Sequence, residues 1–353
     1  MFKVIDLFSG VGGLTYGFKL AGFDIMLANE IDSDIAYAYT RNHPSTKMIN
    51  YDITKLDIEV VFNEYKDKID VIVGGPPCQG FSQKGSRKSI KDERNFLFKY
   101  YYSVVKYVKP QYFLMENVPN LLTSENGYFR KEIEQLFSEI GYTLDFQILN
   151  AADFGVPQTR RRAFILGKYG SERLSLPVGN GIVTTIDDAI SDLAYLRSGE
   201  GQDVQEYINS PRSDYQVRMR EGSNKLYNHQ VTNHSQMALQ KLEMIPVGKG
   251  KEVLPSNLLT KSIYSGTWSR MIGSEQSVTI TTRFDTPSSG RFTHPILDRC
   301  ITVREAARIQ SFPDKFRFYG PKSSQMKQVG NAVPPIVGEA IADILHKDIK
   351  KRK

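Results

Sequence analysis

The sequence predicts an α/β fold: a doubly wound, mostly parallel sheet, with a second, smaller and irregular domain. Three observations predict it. Short apolar runs alternate with helix-periodic segments through the first half of the chain, the pattern of βα units whose sheet is covered on both faces. A Gly-rich turn, Ser9-Gly10-Val11-Gly12-Gly13, follows the first apolar run directly, as where a strand hands over to a helix at a ligand-binding edge. After about residue 170 the periodicity fades and Ser, Asn, Gly and Pro increase, until clear helices return from Thr302.

Taken in order, residues 2–8 read as a strand and a helix follows near 14–21. A second strand at 24–29 runs into Glu30-Ile31, with a helix after Ser33. The apolar run Ile69-Asp70-Val71-Ile72-Val73 is the next strand. Helical periodicity covers 96–108, a strand 111–116 and a helix 129–140, and strands lie near 143–150 and 163–167. Ligands of parallel α/β sheets sit beyond the carboxyl ends of the strands, so the residues just after 8, 29, 73 and 116 are expected on one edge. Domain limits follow at 1–170, 171–300 and 301–353, the last helix (Ile336 to Leu345) returning to the first domain.

With 353 residues, 40% of them hydrophobic, the chain can bury a sizeable core. No run is long and apolar enough to span a bilayer. The opening Met1-Phe2-Lys3-Val4-Ile5-Asp6 reads as strand, not secretory signal. Cys78 and Cys300 make no disulfide framework, which points to a reducing cytoplasm. The net charge of +7 favours acidic partners, nucleic acid first. Within 211–270, nine Lys/Arg stand against four Asp/Glu.

Four places carry candidate chemistry. The Gly-rich turn suits close approach to a carboxylate or phosphate, and also fits a dinucleotide. Glu30, at the end of the second strand, stands where a ribose diol would be bound. Cys78 lies in Gly74-Gly75-Pro76-Pro77-Cys78-Gln79-Gly80-Phe81-Ser82, where prolines stiffen the approach and glycines leave space, the setting of a presented nucleophile. Cys300, between Arg299 and Ile301, has no such setting and reads as structural. Glu116, in Met115-Glu116-Asn117-Val118-Pro119, puts a carboxyl group at the end of the next strand, where partial burial would fit it to donate a proton.

These motifs, in this order, make the chain resemble the DNA (cytosine-5)-methyltransferase family, of the bacterial restriction-modification type, over nearly its whole length. Beside Asp6–Gly13, Gly74–Ser82 and Glu116–Val118, the chain has Gln158-Thr159-Arg160-Arg161-Arg162, the late helix Thr302–Pro313 and the closing Gln328-Val329-Gly330-Asn331-Ala332-Val333-Pro334-Pro335. The resemblance implies a Rossmann-like fold using S-adenosylmethionine, with S-adenosylhomocysteine as product and no metal. It makes 1–170 the catalytic and cofactor-binding domain and 171–300 the target-recognition domain. Cys78 would attack cytosine C6, Glu116 would engage N3 and the exocyclic amine, Arg162 would hold O2, and Arg160 would support the nucleophile loop. Phe8, Ser9, Gly10, Gly12, Gly13, Glu30, Ile31, Asp52, Ile53, Pro76, Leu97, Asn331 and Val333 would bind the cofactor. Gln79, Ser82, Lys84, Arg87 and Lys88 would meet double-stranded DNA, the target base being flipped out of the stack. The implied protein is a cytoplasmic monomer that protects host DNA from a cognate restriction endonuclease without a stable complex. A tRNA cytosine-5-methyltransferase of similar fold would lack a recognition region as long as 175–280. A non-enzymatic DNA binder would be free to lose Cys78, Glu116 and Arg162. A nicotinamide-dependent oxidoreductase fits the Gly-rich turn but leaves Pro76-Pro77-Cys78 without a role.

Overall fold

The computed structural model describes residues 1–77, 97–259 and 266–352. The chain divides into two units, Met1–Asn150 with Arg161–Gly179 and Pro335–Lys353, and Ala151–Arg160 with Asn180–Pro334. The sequence-based limits stand at 170/171 and 300/301 instead.

In the first unit the chain runs β1 (Phe2–Leu7), α1 (Gly13–Leu20), β2 (Phe23–Asn29), α2 (Ser33–Asn42), β3 (Lys47–Ile49), α3 (Ile58–Phe62), β4 (Val71–Gly74) and α4 (Leu97–Val108). It continues through β5 (Tyr112–Asn117), α5 (Asn120–Thr123), α6 (Tyr128–Glu139), β6 (Tyr142–Asn150) and β7 (Arg161–Tyr169). The strands form one sheet in the order β3-β2-β1-β4-β5-β7-β6. β1 to β5 pair in parallel, and β7 runs antiparallel to both β5 and β6. The fold is therefore the α/β, Rossmann-like arrangement that the alternating segments predict. Leu7 registers with Asn29 and Gly74, and Gly74 with Met115, so the exits of β1, β2, β4 and β5 do share one edge.

Each element has a local cause. β4 is buried at every position, which suits the unbroken apolar run Val71-Ile72-Val73 at the middle of the sheet. Helix α2 starts at Asp32, whose carboxylate accepts from the amides of Asp34 and Ile35. Helix α4 buries Phe98, Tyr101, Val104, Val105 and Val108, one apolar stripe at helical spacing. Tyr101 is fully buried, and its hydroxyl shares its one proton between the carbonyls of Ile72 (2.8 Å) and Leu114 (3.0 Å), tying β4 to β5. The last helix, α12 (Pro335–Arg352), packs on α1 so closely that a Cβ on Gly17 would lie 2.5 Å from Pro335 O.

The second unit is built from short pieces: α7 (Ile186–Ile190), β8 (Gly201–Gln205), α8 (Asp214–Arg220), β9 (Leu226–Gln230), α9 (Gln236–Glu243), α10 (Val303–Ile309) and α11 (Lys322–Asn331). β8 and β9 form an antiparallel pair. At its centre lies α10, buried at every position, Arg304, Glu305 and Arg308 included. Thr302 and Glu305 form its capping box. Charge is tolerated there because each group is matched. Arg299 makes two bonds to Glu305 (2.8 and 2.7 Å), Arg308 pairs with Asp314 and Asp192, and Arg304 donates to the carbonyls of Tyr227, Pro313 and Phe316. Among the described residues no helix is long and apolar enough to cross a membrane.

Candidate active site

The turn after β1 is tight. Phe8 and Gly10 both take left-handed backbone at φ 55°, and Gly12 does so at φ 91°. The two glycines serve different ends. Among the described residues, nothing lies within 4 Å of a Cβ built on Gly10, whereas one on Gly12 would fall 2.5 Å from Nε2 of His43. Among the described residues, Gly10 thus faces open space, while Gly12 faces packed protein. Glu30 reaches across from the end of β2: Gly10 N–H donates to its Oε2 (2.9 Å) and Asp32 N–H to its Oε1 (2.9 Å). Burial raises the Glu30 carboxyl above its ordinary range, and these amides pull it partly back. Each carboxylate oxygen can accept a second hydrogen bond.

Beside it, Asn29 donates to the carbonyls of Ile49 (3.0 Å) and Tyr51 (2.8 Å), and Asn50 to those of Glu30 (2.8 Å) and Ile31 (3.1 Å). This pair of amides fixes the segment carrying Asp52 to the end of β2. Asp52 caps the short turn over Ile53–Lys55, its Oδ1 accepting from the amide and hydroxyl of Thr54, which hold its pKa down. Ile53 is buried below, while Ile31 is 66% exposed, an apolar side chain left at the ligand edge. Asn29 and Asn50 carry no motif and escaped the sequence reading; asparagines flanking a strand end are the only signal they give.

At the centre of the sheet, Pro76 is buried and its carbonyl accepts from Asn117 Nδ2 (2.8 Å), whose own Oδ1 accepts from Val118 N–H (2.9 Å). The Asn of the Glu-Asn-Val motif thereby braces the backbone that leads into Cys78. Glu116 and Arg162 come from neighbouring antiparallel strands. Phe164 registers with Glu116, so Arg162, two residues along, shares its face. Arg162 Nε lies 3.2 Å from Glu116 Oε1, and Arg162 Nη1 donates to Arg161 O (2.8 Å). A Cβ on Gly75 would be 3.0 Å from Glu116 Oε2, so the glycine admits the carboxylate. Leu97 opens α4 and is half-buried.

Arg160, Asn331 and Val333 belong to the second unit. Arg160 is buried and donates to the carbonyls of Ile280 (3.3 Å) and Gly330 (2.9 Å). Gln158 donates to Gln310 Oε1 and accepts from Ile280 N–H (2.8 Å), and Gln310 donates to the carbonyls of Val329 (3.1 Å) and Ala332 (2.8 Å). Two buried glutamines thus hold the closing motif that contains exposed Asn331 and buried Val333. Cys300 is buried, and desolvation pushes its thiol well above the usual range, which disfavours the thiolate. Cys78, Gln79, Ser82, Lys84, Arg87 and Lys88 lie outside the described residues.

A family model for C-5 cytosine-specific DNA methylase matches residues 2–347 of the chain. The Type II methyltransferase M.DdeI of Desulfomicrobium norvegicum is 37% identical, with 97% of the chain and 88% of the relative covered. The Type II methyltransferase M1.HphI of Haemophilus parahaemolyticus is 36% identical, covering 97% and 86%. A crystal structure described as a DNA modification methyltransferase encoded within an E. coli prophage is similar with a TM-score of 0.81 at 28% identity, over 99% of the chain and 100% of its own length. The S. pombe Dnmt2 methyltransferase shares the fold, with a TM-score of 0.63 at 20% identity and 99% of each chain covered.

Proposed function

The chain belongs to the family of C-5 cytosine-specific DNA methylases, and from that premise we propose that it transfers the methyl group of S-adenosylmethionine to carbon 5 of a cytosine flipped out of duplex DNA at a specific sequence. One observation carries the reading above all: the Glu116–Arg162 pair, 3.2 Å apart at the carboxyl edge, beside the Asn117-braced proline that leads into Cys78. The pair offers donors and acceptors for the polar edge of a pyrimidine ring, and the braced proline precedes in sequence the cysteine assigned to attack that ring.

The residues at the ends of β1 and β2 fit an adenosine cofactor with an amino-acid tail. Gly10 leaves room for close approach, Glu30 has accepting capacity for a ribose diol, and exposed Ile31 offers an apolar wall. Asp52 and Ile53 are assigned to the adenine, with Phe8 stacking on it or lying beside it. When bound, S-adenosylmethionine supplies an electrophilic methyl group and becomes S-adenosylhomocysteine.

The chain's own part begins at Cys78. Its thiolate forms a bond to C6, the C5–C6 π pair moves into the ring as an enamine, and Glu116 offsets the charge that builds at N3. Arg162 holds O2, and its bond to Glu116 keeps both groups facing the same edge. Once C5 carries its new substituent, loss of the C5 proton to a base returns the electron pair to the ring and expels the thiolate. Residues 175–280, basic over 211–270, select the DNA sequence, and the modification protects DNA from an endonuclease of the same specificity.

Purified protein given methyl-labelled S-adenosylmethionine tests this. Label should enter double-stranded DNA as 5-methylcytosine at one recurring sequence and should not enter tRNA. Label in tRNA, or on adenine, would overturn it.

A further inference from the structure

Beneath the Gly-rich turn runs a line of buried polar side chains from three elements. Asp6 on β1, Thr15 on α1 and Tyr39 on α2 are all 1% exposed or less. Thr15 Oγ1 lies 2.5 Å from Asp6 Oδ2 and 2.9 Å from the Tyr39 hydroxyl. His43, at the end of α2, is also buried, and its ring centroid is 4.6 Å from that of Tyr39. Together these two rings occupy the side of Gly12 where a Cβ would go, 2.5 Å from His43 Nε2 and 2.8 Å from Tyr39 Cε2.

Apolar packing at these positions would hold α1 against the sheet, yet would leave its rotation loosely set, because dispersion contacts carry little direction. Hydrogen bonds are directional, and Thr15 bonds both ways, to β1 and to α2. The turn so fixed is the one whose amides the ligand must meet. Helix α1 begins at Gly13, and its N-cap, Gly12, brings no side-chain hydrogen bond to the first amides among the described residues. On the opposite face, Gly10 has nothing within 4 Å of its Cβ position among the described residues. The same turn is therefore braced from below by side chains and, among the described residues, carries none above.

We propose that Thr15 and Tyr39 are positioning residues for the cofactor: with Asp6 they set the height and rotation of the Gly10–Gly13 turn, and through it the affinity for S-adenosylmethionine, without touching that molecule. The inference rests on the cofactor reading of the turn. It predicts a binding effect and not a chemical one, because Cys78 and Glu116 belong to other strand ends.

Calorimetric titration with S-adenosylhomocysteine, alongside steady-state kinetics, tests it. Thr15→Val keeps the shape and removes the hydroxyl; it should weaken binding roughly tenfold, the size of one lost hydrogen bond, and raise KM equally with kcat nearly unchanged. Thr15→Ser keeps the hydroxyl and should restore most of the affinity. Tyr39→Phe leaves the Asp6–Thr15 bond in place, so it stays informative if Thr15→Val folds poorly. It should weaken binding several-fold alone and add little to Thr15→Val, because the line is already cut. Wild-type affinity in both Thr15→Val and Tyr39→Phe would overturn the proposal. So would a fall in kcat at unchanged KM, or a Thr15→Ser protein as weak as Thr15→Val. Wild-type protein that fails to bind S-adenosylhomocysteine would instead remove the cofactor reading, and the inference with it.

Discussion

Two charged constellations, one in each unit, differ in what their charges are left to do. Glu116 and Arg162 keep 13% and 20% of their side-chain surface exposed and meet at a strand edge, 3.2 Å apart. Arg299 and Glu305 are wholly buried and joined by two bonds, with Thr302 N–H donating a third to Glu305 (2.7 Å). Burial first pushes Glu305 up, and Arg299 beside it more than reverses that, leaving the carboxyl far below its ordinary range. Both constellations stand in or beside motifs of the family, and as sequence they look alike. What separates them is access: charges wholly buried against one another hold a fold, whereas charges that keep exposed surface at a strand edge can still meet a substrate.

Exchanging the two acids breaks or sharpens this contrast. Glu116→Gln should cut kcat by about 10²- to 10⁴-fold, the usual worth of a positioned acid, while the urea midpoint stays near wild type. Glu305→Ala should do the reverse. It leaves Arg299 buried without its partner and should cost about 3–5 kcal/mol of stability, with activity per folded molecule little changed. A Glu116→Gln protein that unfolds early, or a stable but inactive Glu305→Ala protein, would erase the distinction.

Acid should separate the units more gently. Burial lowers His229 to about 4 and His294 to about 3 in the second unit, and His43 to about 3 in the first. The unfolded chain takes up these protons near 6.5, so stability is full above that pH and is lost as pH falls toward 4. Each buried imidazole contributes about 1.4 kcal/mol per pH unit within that window. In the first unit Asp6 works the other way. Burial raises it to about 7, so between about 4 and 7 the fold binds its proton while the unfolded chain does not. The second unit should therefore weaken first between pH 6.5 and 4.5. The single tryptophan, Trp268, reports on that unit, and hydrogen exchange at β4 reports on the other. Loss of β4 protection before any change in Trp268 fluorescence would contradict this.

Most of the first unit was legible because its signals are local. Val71-Ile72-Val73 and Tyr112-Phe113-Leu114 are apolar runs that only a buried strand explains, and α4 shows its stripe plainly. β3 escaped because three residues carry no period. In the second unit the helix from Thr302 was plain in the sequence, but the rest was harder to read, for a deeper reason. Its centre is made of Arg299, Arg304, Glu305 and Arg308, which hydrophobic periodicity reads as surface, and β8 exposes most of its side chains. Its pairings also span long distances in sequence, such as Arg308 with Asp192, and no local pattern announces them. At the site, the motifs pointed to Glu30, Glu116 and Arg162 but not to Thr15, Tyr39 or Asn29, which act by bonding to Asp6, to one another or to backbone.

The central claim is that the Cys78 thiol performs the chemistry while the buried thiol of Cys300 takes no part. Duplex DNA carrying 5-fluorocytosine at the target site tests it directly. After methylation the adduct resolves only by losing the substituent C5 already held, and fluorine cannot leave as a cation. With S-adenosylmethionine present, the protein should be trapped in a complex that survives denaturant, peptide mapping should place the bond on Cys78, and Cys78→Ser should trap little. An adduct on Cys300, or full methylation of normal DNA by Cys78→Ala, would contradict the account.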